Sequence, residues 1–190
     1  MTAIAWPAGL FPRAFTLRLS TVQRVHASPL GGSEQVVDLL NDRWIASMEI
    51  PADRHSTMAS LEAFLAAMRG QTNTVALYHF GTPTPRGTLA SATAASAAQG
   101  AAAVVLTGSG TLKAGDMLGI SGLLLQVASD VTVGTSTTVP IVNRLRTAVS
   151  GTVTLARPTA NFRLAGTPAV QYLGGAFTDA VPLEFVEAIA

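Results

Sequence analysis

Residues 43–70 read RWIASMEIPADRHSTMASLEAFLAAMRG, and a change of period inside this stretch decides the fold. In RWIASMEI, Trp44, Ala46, Met48 and Ile50 share one face while Arg43, Ile45, Ser47 and Glu49 share the other, the period of two of a half-buried strand. Pro51 ends it. From Ser56 onward Met58, Leu61, Leu65 and Met68 recur at spacings of three, four and three, with Phe64 beside them, which predicts a helix over 54–69. Ser56 or Thr57 suits its first amides as a cap and Asp53 its positive end. Arg69 suits the last turn, and Gly70 the left-handed residue beyond it. No other stretch of the chain carries a comparable helical stripe.

Outward from there the chain reads as strands. AFTLRLS at 14–20 alternates Phe15, Leu17 and Leu19 with Thr16, Arg18 and Ser20. Pro29 to Ser33 is a loop by composition, and Asn41-Asp42 between QVVDLL and RWIASMEI predicts a tight hairpin. VALYHF at 75–80 is a further strand, in which His79 faces opposite to Tyr78, and GTPTPRG at 81–87 is a rigid turn because Pro83 and Pro85 restrict the backbone. The Ala-rich run 91–103 lacks a stripe of large side chains and is interrupted by Gly100, so it is expected to be extended. The runs AAVVL, DMLGI, LLLQV, TTVPIV, TVTLA and FRLA then follow, separated by Gly and Ser turns at the spacing of a small all-β barrel. AVQYL, Gly174-Gly175 and VPLEFVEA close the chain, the last with Val181, Leu183 and Phe185 on one face. The fold class expected is mainly β with a minor α contribution. Residues 1–86 and 166–190 form a β-sandwich-like domain with one amphipathic helix, interrupted by an inserted small all-β barrel at 88–165.

Composition narrows the function. Of 190 residues 12 are Lys or Arg and 11 are Asp or Glu, so only 12% are charged, about half the usual quarter. Apolar types reach 48% and the mean hydropathy +0.40, yet aromatics are only 6%. The absence of cysteine excludes disulfides, thiol catalysis and Cys-ligated metal centres. A net charge of +1 supplies no field for nucleic acid. The uncharged stretch from Gly87 to Leu112 is long enough for a bilayer, but its Gly, Ser and Thr content argues against membrane insertion. The N-terminal residues lack a basic region ahead of an apolar core and are broken by Pro7 and Pro12, unlike a secretory signal. The apolar surplus is therefore expected to go into subunit contacts. It is densest at 87–143, where Lys113, Asp116 and Asp130 are the only charges, so the inserted domain is expected to pack against other subunits.

Chemistry is sparse. His26, His55 and His79 stand apart, without metal-ligand spacing, and read as solvated or hydrogen-bonded structural residues. Asp116 and Asp130 could meet across a hairpin as an acid–base pair, but their Gly-Asp and Ser-Asp settings fit turn residues that bond nearby backbone better. Gly108-Ser109-Gly110 with Lys113 lacks the Gly-Lys-Ser/Thr of a phosphate loop, and no Gly-x-Ser-x-Gly elbow occurs. Arg144 and Arg146 flank Leu145 and would point the same way from a strand, fitting a subunit salt bridge or solvated face better than an anion site. Trp6, Phe11, Phe15, Trp44 and Phe64 read as core, with insertion into a neighbouring subunit an alternative for Trp6 and Phe11. No catalytic, cofactor-binding or metal site is expected.

Two stretches carry a resemblance. AFTLRLS, the Trp44 segment and MASLEAFLAAMRGQTNTVALYHFGTPTPRG, in which a helix ending in Arg-Gly leads to a strand and a Pro-rich turn, resemble tail proteins of long-tailed bacteriophages and prophages. The insertion, with Gly115-Asp116, LLQV, Ile141 to Arg146, Gly151, Val153, Pro158 and Phe162-Arg163-Leu164, looks like a module recurrent in such proteins. The resemblance is greatest to a distal tail or baseplate hub protein. It implies a non-enzymatic virion component, made in the bacterial cytoplasm, that forms a homo-oligomeric ring, commonly sixfold. Its partners would be the tail tube protein and hub, tip or fibre proteins. The length leaves no room for an added carbohydrate-binding domain. Alternatives are a glycan-binding module, disfavoured because residues 88–161 hold no Phe, Trp or Tyr; a tail-tube or tail-completion protein; and a cell-wall hydrolase.

Overall fold

The computed structural model describes residues 2–27, 31–39 and 41–189. The predicted loop at Pro29 to Ser33 lies partly outside them. The first half of the chain lays down β1 (Ala3–Ile4), β2 (Ala14–Ser20), β3 (Gln23–Ala27), β4 (Glu34–Asp38), β5 (Arg43–Ile50), α1 (His55–Met68) and β6 (Thr74–Leu77). With β15 (Ala160–Ala165) and β16 (Val181–Glu187) from the C-terminal end, these build a six-stranded sheet of order β1-β6-β15-β16-β5-β2, antiparallel except for β1 on β6. The protein is mainly β with one helix.

The alternation in β5 places Trp44, Ala46, Met48 and Ile50 on one buried face, joined by Leu183 and Phe185 of β16 and by Phe162 and Leu164 of β15. Helix α1 covers that face with Met58, Leu61, Phe64 and Met68, all buried; Leu65 sits at its margin, half-exposed. The aromatic ring of Trp6 completes the layer, 5.3 Å from Phe64 and 6.2 Å from Phe185, with its indole N–H donating to the Leu10 carbonyl at 2.9 Å. Trp6 is thus part of its own chain's core, whereas Phe11 is exposed.

The capping expectation is corrected in detail. The helix starts at His55, so Ser56 and Thr57 fall inside its first turn, and Arg54 is the N-cap with no side-chain bond to the amides. The His55 amide instead donates to the Ala176 carbonyl at 3.1 Å. At the other end Arg69 itself adopts the left-handed conformation, φ 47°, followed by Gly70 at φ 64°.

The Asn41-Asp42 hairpin does not form between the runs predicted. Strand β4 pairs with β3, Val25 opposite Val36, while β5 has both neighbours filled by β2 and β16. The physical reason is legible: QVVDLL has adjacent valines and no clean alternation, so it cannot offer one apolar face to the core that β5 bounds. Tyr78 and His79 also leave the expected strand, since β6 ends at Leu77, and AVQYL forms only a single bridge, Tyr172 to Thr178.

The middle of the chain runs through β7 (Ala92–Ala97), β8 (Ala103–Gly108), β9 (Gly110–Leu112), β10 (Met117–Ile120), β11 (Leu123–Gln126), β12 (Val131–Val133), β13 (Thr137–Pro140) and β14 (Val149–Val153). The sheet β13-β8-β7-β14 and the hairpin β10-β11 are joined by two single bridges, Gly119 to Thr154 and Val127 to Ile141. Together they close a small barrel. Its interior is filled by Leu106, Leu118, Ile120, Leu125, Val139 and Leu145, and β9-β12 adds a flap that contributes Leu112 and Val133. Gly119 suits the closing bridge, because a Cβ there would stand 3.1 Å from Pro158 and 3.3 Å from Thr154, tighter than side chains ordinarily pack. FRLA, counted from sequence with the insertion up to residue 165, lies in β15 at the centre of the large sheet, so the chain returns to that sheet at Ala160.

Candidate interaction surface

The barrel is joined to the sheet by a buried polar seam. Glu187 ends β16 on the face that Val181, Leu183 and Phe185 bury, and its carboxylate accepts from the Trp44 amide at 3.0 Å and from Arg146 Nη1 at 3.0 Å, with Arg146 Nη2 on its second oxygen. The Arg146 and Glu187 side chains are 12% and 3% exposed. Arg146 Nη1 also donates to the Asp42 carbonyl at 2.9 Å, and the Trp44 indole donates to Leu124 of the barrel at 2.8 Å. Nearby, Arg144 lies 3.4 Å from the Asp38 carboxylate at the base of β4. Both arginines flagged in the sequence therefore pair with carboxylates of their own chain, from an irregular segment rather than from a strand. Asp42, buried beside them, has its pKa raised, first by burial and then by Asp38, against the lowering effect of Arg144 and Arg146.

The aspartates singled out as an acid–base alternative are used on backbone. Asp116 is buried and accepts from the Arg86, Gly87 and Lys113 amides at 2.9, 3.3 and 2.8 Å, which fastens the Pro-rich turn to the barrel. Asp130 accepts from the Ala114 amide at 2.9 Å and the Lys113 ammonium at 2.8 Å; the bond to Lys113 is the first cause of its lowered pKa and the bond to Ala114 the second. The histidines lie far apart in role. His26 is exposed on β3, His55 meets the Phe177 carbonyl at 2.8 Å beside the Tyr172 ring, and His79 Nδ1 accepts from the Thr82 amide at 2.9 Å. Burial lowers the His79 pKa, in keeping with an unprotonated acceptor nitrogen. Among the described residues no group of three His, Asp or Glu is placed to hold a metal ion. Among the described residues no helix is long and apolar enough to cross a membrane.

Two surface features remain. The ribbon β3-β4 has every residue exposed and pairs with no other strand among the described residues, yet it carries Val25 and Val36 at 58% and 55% exposure, with Val37 beside them and Val22 and Leu39 at its base. Two-stranded ribbons are marginal alone, and this one exposes apolar side chains on both of its faces. The second feature is a groove of about 620 Å³ on the face of the large sheet opposite α1, floored by Thr16, Ser47, Glu49, Pro182 and Glu184 and walled by Pro168. Sequence reasoning missed both, and it missed Glu187, whose position in the period of two of VPLEFVE marks it as a carboxylate on a buried face. The chain matches no protein-family model, and it matches no curated protein sequence at a significant level.

Proposed function

We propose that the protein is a structural component of a phage tail, a subunit that assembles into a ring at the distal tail or baseplate and joins the tail tube to tip or fibre proteins. The observation that carries the assembly part of this reading is the ribbon β3-β4, where apolar side chains are exposed on an element that pairs with no further strand among the described residues. The polar seam supports it, because a barrel fixed to the sheet through Arg146, Glu187 and Trp44 presents the ribbon and the groove in a defined relation. The tail assignment rests on the resemblance of the helix ending in Arg69-Gly70 and the Pro-rich turn after it. Light scattering coupled to size exclusion, followed by negative-stain imaging of the same fractions, tests the reading: rings of one discrete size are expected. A chain that stays monomeric at the highest attainable concentration rules out self-assembly into a ring.

A further inference from the structure

We propose that the ribbon β3-β4 of one copy seats in the sheet groove of the next, through the ribbon face that carries Arg24 and His26. The inference rests on the assembly reading and names the contact that would build it. Alternation along the paired strands sorts the ribbon's side chains by face. Arg24 lies opposite Val37 and His26 opposite Gln35, and Val22 and Leu39 continue that face. The other face pairs Gln23 with Asp38, Val25 with Val36 and Ala27 with Glu34, so it holds both ribbon carboxylates. Both faces are exposed, but on the second the Asp38 carboxylate is already engaged by Arg144 of the same chain at 3.4 Å, whereas among the described residues no salt bridge engages Arg24 on the first.

The groove is complementary to the face that carries Arg24 and His26. The charged residues lining it are Glu49 and Glu184, set among Ala14, Pro168 and Pro182. Their present partners are exposed: Arg13 lies 2.6 Å from Glu49, and Arg18 stands 3.9 Å from Glu184. Pairs of this kind are worth little and are readily exchanged. A donor from Arg24 or His26 entering the groove would meet carboxylate oxygens, with Val37 against the prolines. The ribbon of the same chain is poorly placed to do this. Its residues are all exposed and its Asp38 is held by Arg144, and none of them lines the groove of its own chain. The occupant is therefore a second copy. A contact between different patches on each chain repeats head to tail, which is the requirement for a ring when the rotation closes.

The test uses charge reversal in the full chain, with the concentration at half-assembly read by light scattering. Arg24→Glu and Glu184→Arg are each expected to raise that concentration about tenfold or more, because each sets like charges against one another. Both positions are on the surface, and an unchanged melting temperature and circular dichroism spectrum would confirm that each variant folds. An equimolar mixture of the two variants is expected to restore assembly. Alternating copies would match the acidic ribbon of the Arg24→Glu variant to the basic groove of the Glu184→Arg variant, and the unaltered ribbon of the second to the unaltered groove of the first. Either single variant assembling as the unaltered chain does, or a mixture no better than its components, overturns the ribbon-in-groove contact while leaving the assembly reading intact. An unaltered chain that never assembles overturns both.

Discussion

Replacing Arg146 by Met tests whether the seam holds the barrel to the sheet. Glu187 Oε2 accepts from the Trp44 amide and Arg146 Nη1, both at 3.0 Å, and Oε1 accepts from Arg146 Nη2. The substitution leaves the Trp44 amide alone facing a carboxylate that is 3% exposed, and it also strips the Asp42 carbonyl of its 2.9 Å donor. Met keeps much of the arginine stem, so lost packing is a small part of the effect. Removing one partner of a buried pair costs about 3–5 kcal/mol, mainly from the uncompensated charge left behind. Glu187→Gln in the same background removes that charge, and the double variant is expected to recover about 1–3 kcal/mol relative to the sum of the single changes. The assay is urea unfolding followed by tryptophan fluorescence, for which Trp44 lies at the seam and Trp6 in the sheet core. A loss below about 1 kcal/mol, the range of exposed ion pairs, or strict additivity in the double variant, would refute the reasoning.

Three further outcomes are expected. Leu61→Ala should cost about 2–5 kcal/mol by leaving a cavity beneath α1, where Leu61 is fully buried, whereas Leu65→Ala, half-exposed, should cost about half as much; equal losses in chemical denaturation would contradict the packing. His79 has a folded pKa below its ordinary 6.5, so its contribution is complete above about pH 6.5 and is lost as pH falls through the folded value. His79→Gln should flatten the dependence of melting temperature on pH between about pH 7 and pH 5, and an unchanged slope would argue against a neutral Nδ1 acceptor. Asp42 has the opposite sign of shift: its folded pKa lies above the ordinary 3.8, so the stability it lends is present below that value and lost as pH rises through the folded one. Asp42→Asn should therefore hold or raise the melting temperature at about pH 7, with the advantage shrinking toward about pH 4, and a uniform loss at both pH values would sink the idea.

What the sequence made legible was periodicity bound to one core. β2 and β5 matched AFTLRLS and RWIASMEI because each buries a single face, and α1 matched its stripe because four of its side chains fill the same layer. Where a side chain's role depends on a partner far along the chain, local pattern was silent. Arg146 and Glu187 are 41 positions apart and meet only because the barrel returns to the sheet, so a pair of arginines flanking Leu145 carried no sign of its carboxylate. QVVDLL forms no hairpin with β5 for a related reason: adjacency in sequence favours sequential pairing, but β5 already has two neighbours with matching alternation. The helix cap failed because the first amide is satisfied by Ala176, in a loop more than a hundred residues away.

The shortage of charge acquires a different meaning once the two cores are separated. Sequence density places the excess apolarity in the inserted segment and points to that segment as the subunit contact. The structure puts those side chains inside: Val104, Leu106, Leu118, Ile120, Leu125 and Val139 are each at most 1% exposed, and Val142 is the one large apolar side chain with substantial exposure between residues 88 and 159 among those described. A small closed barrel has a high ratio of surface to volume, so it needs nearly all its Leu, Ile and Val within and covers its exterior with Thr, Ser and Ala. Exposed apolar side chains gather instead on Val22, Val25, Val36, Val37 and Leu39, and in a second group at Tyr172, Leu173 and Phe177 by the start of α1. Residues 22–39 also hold Arg24, His26, Glu34 and Asp38, so by composition they look like ordinary surface. Low charge thus marks where the chain folds upon itself, and the surface proposed for a neighbour is instead a mixed apolar and charged ribbon that, among the described residues, has no third strand to pair with.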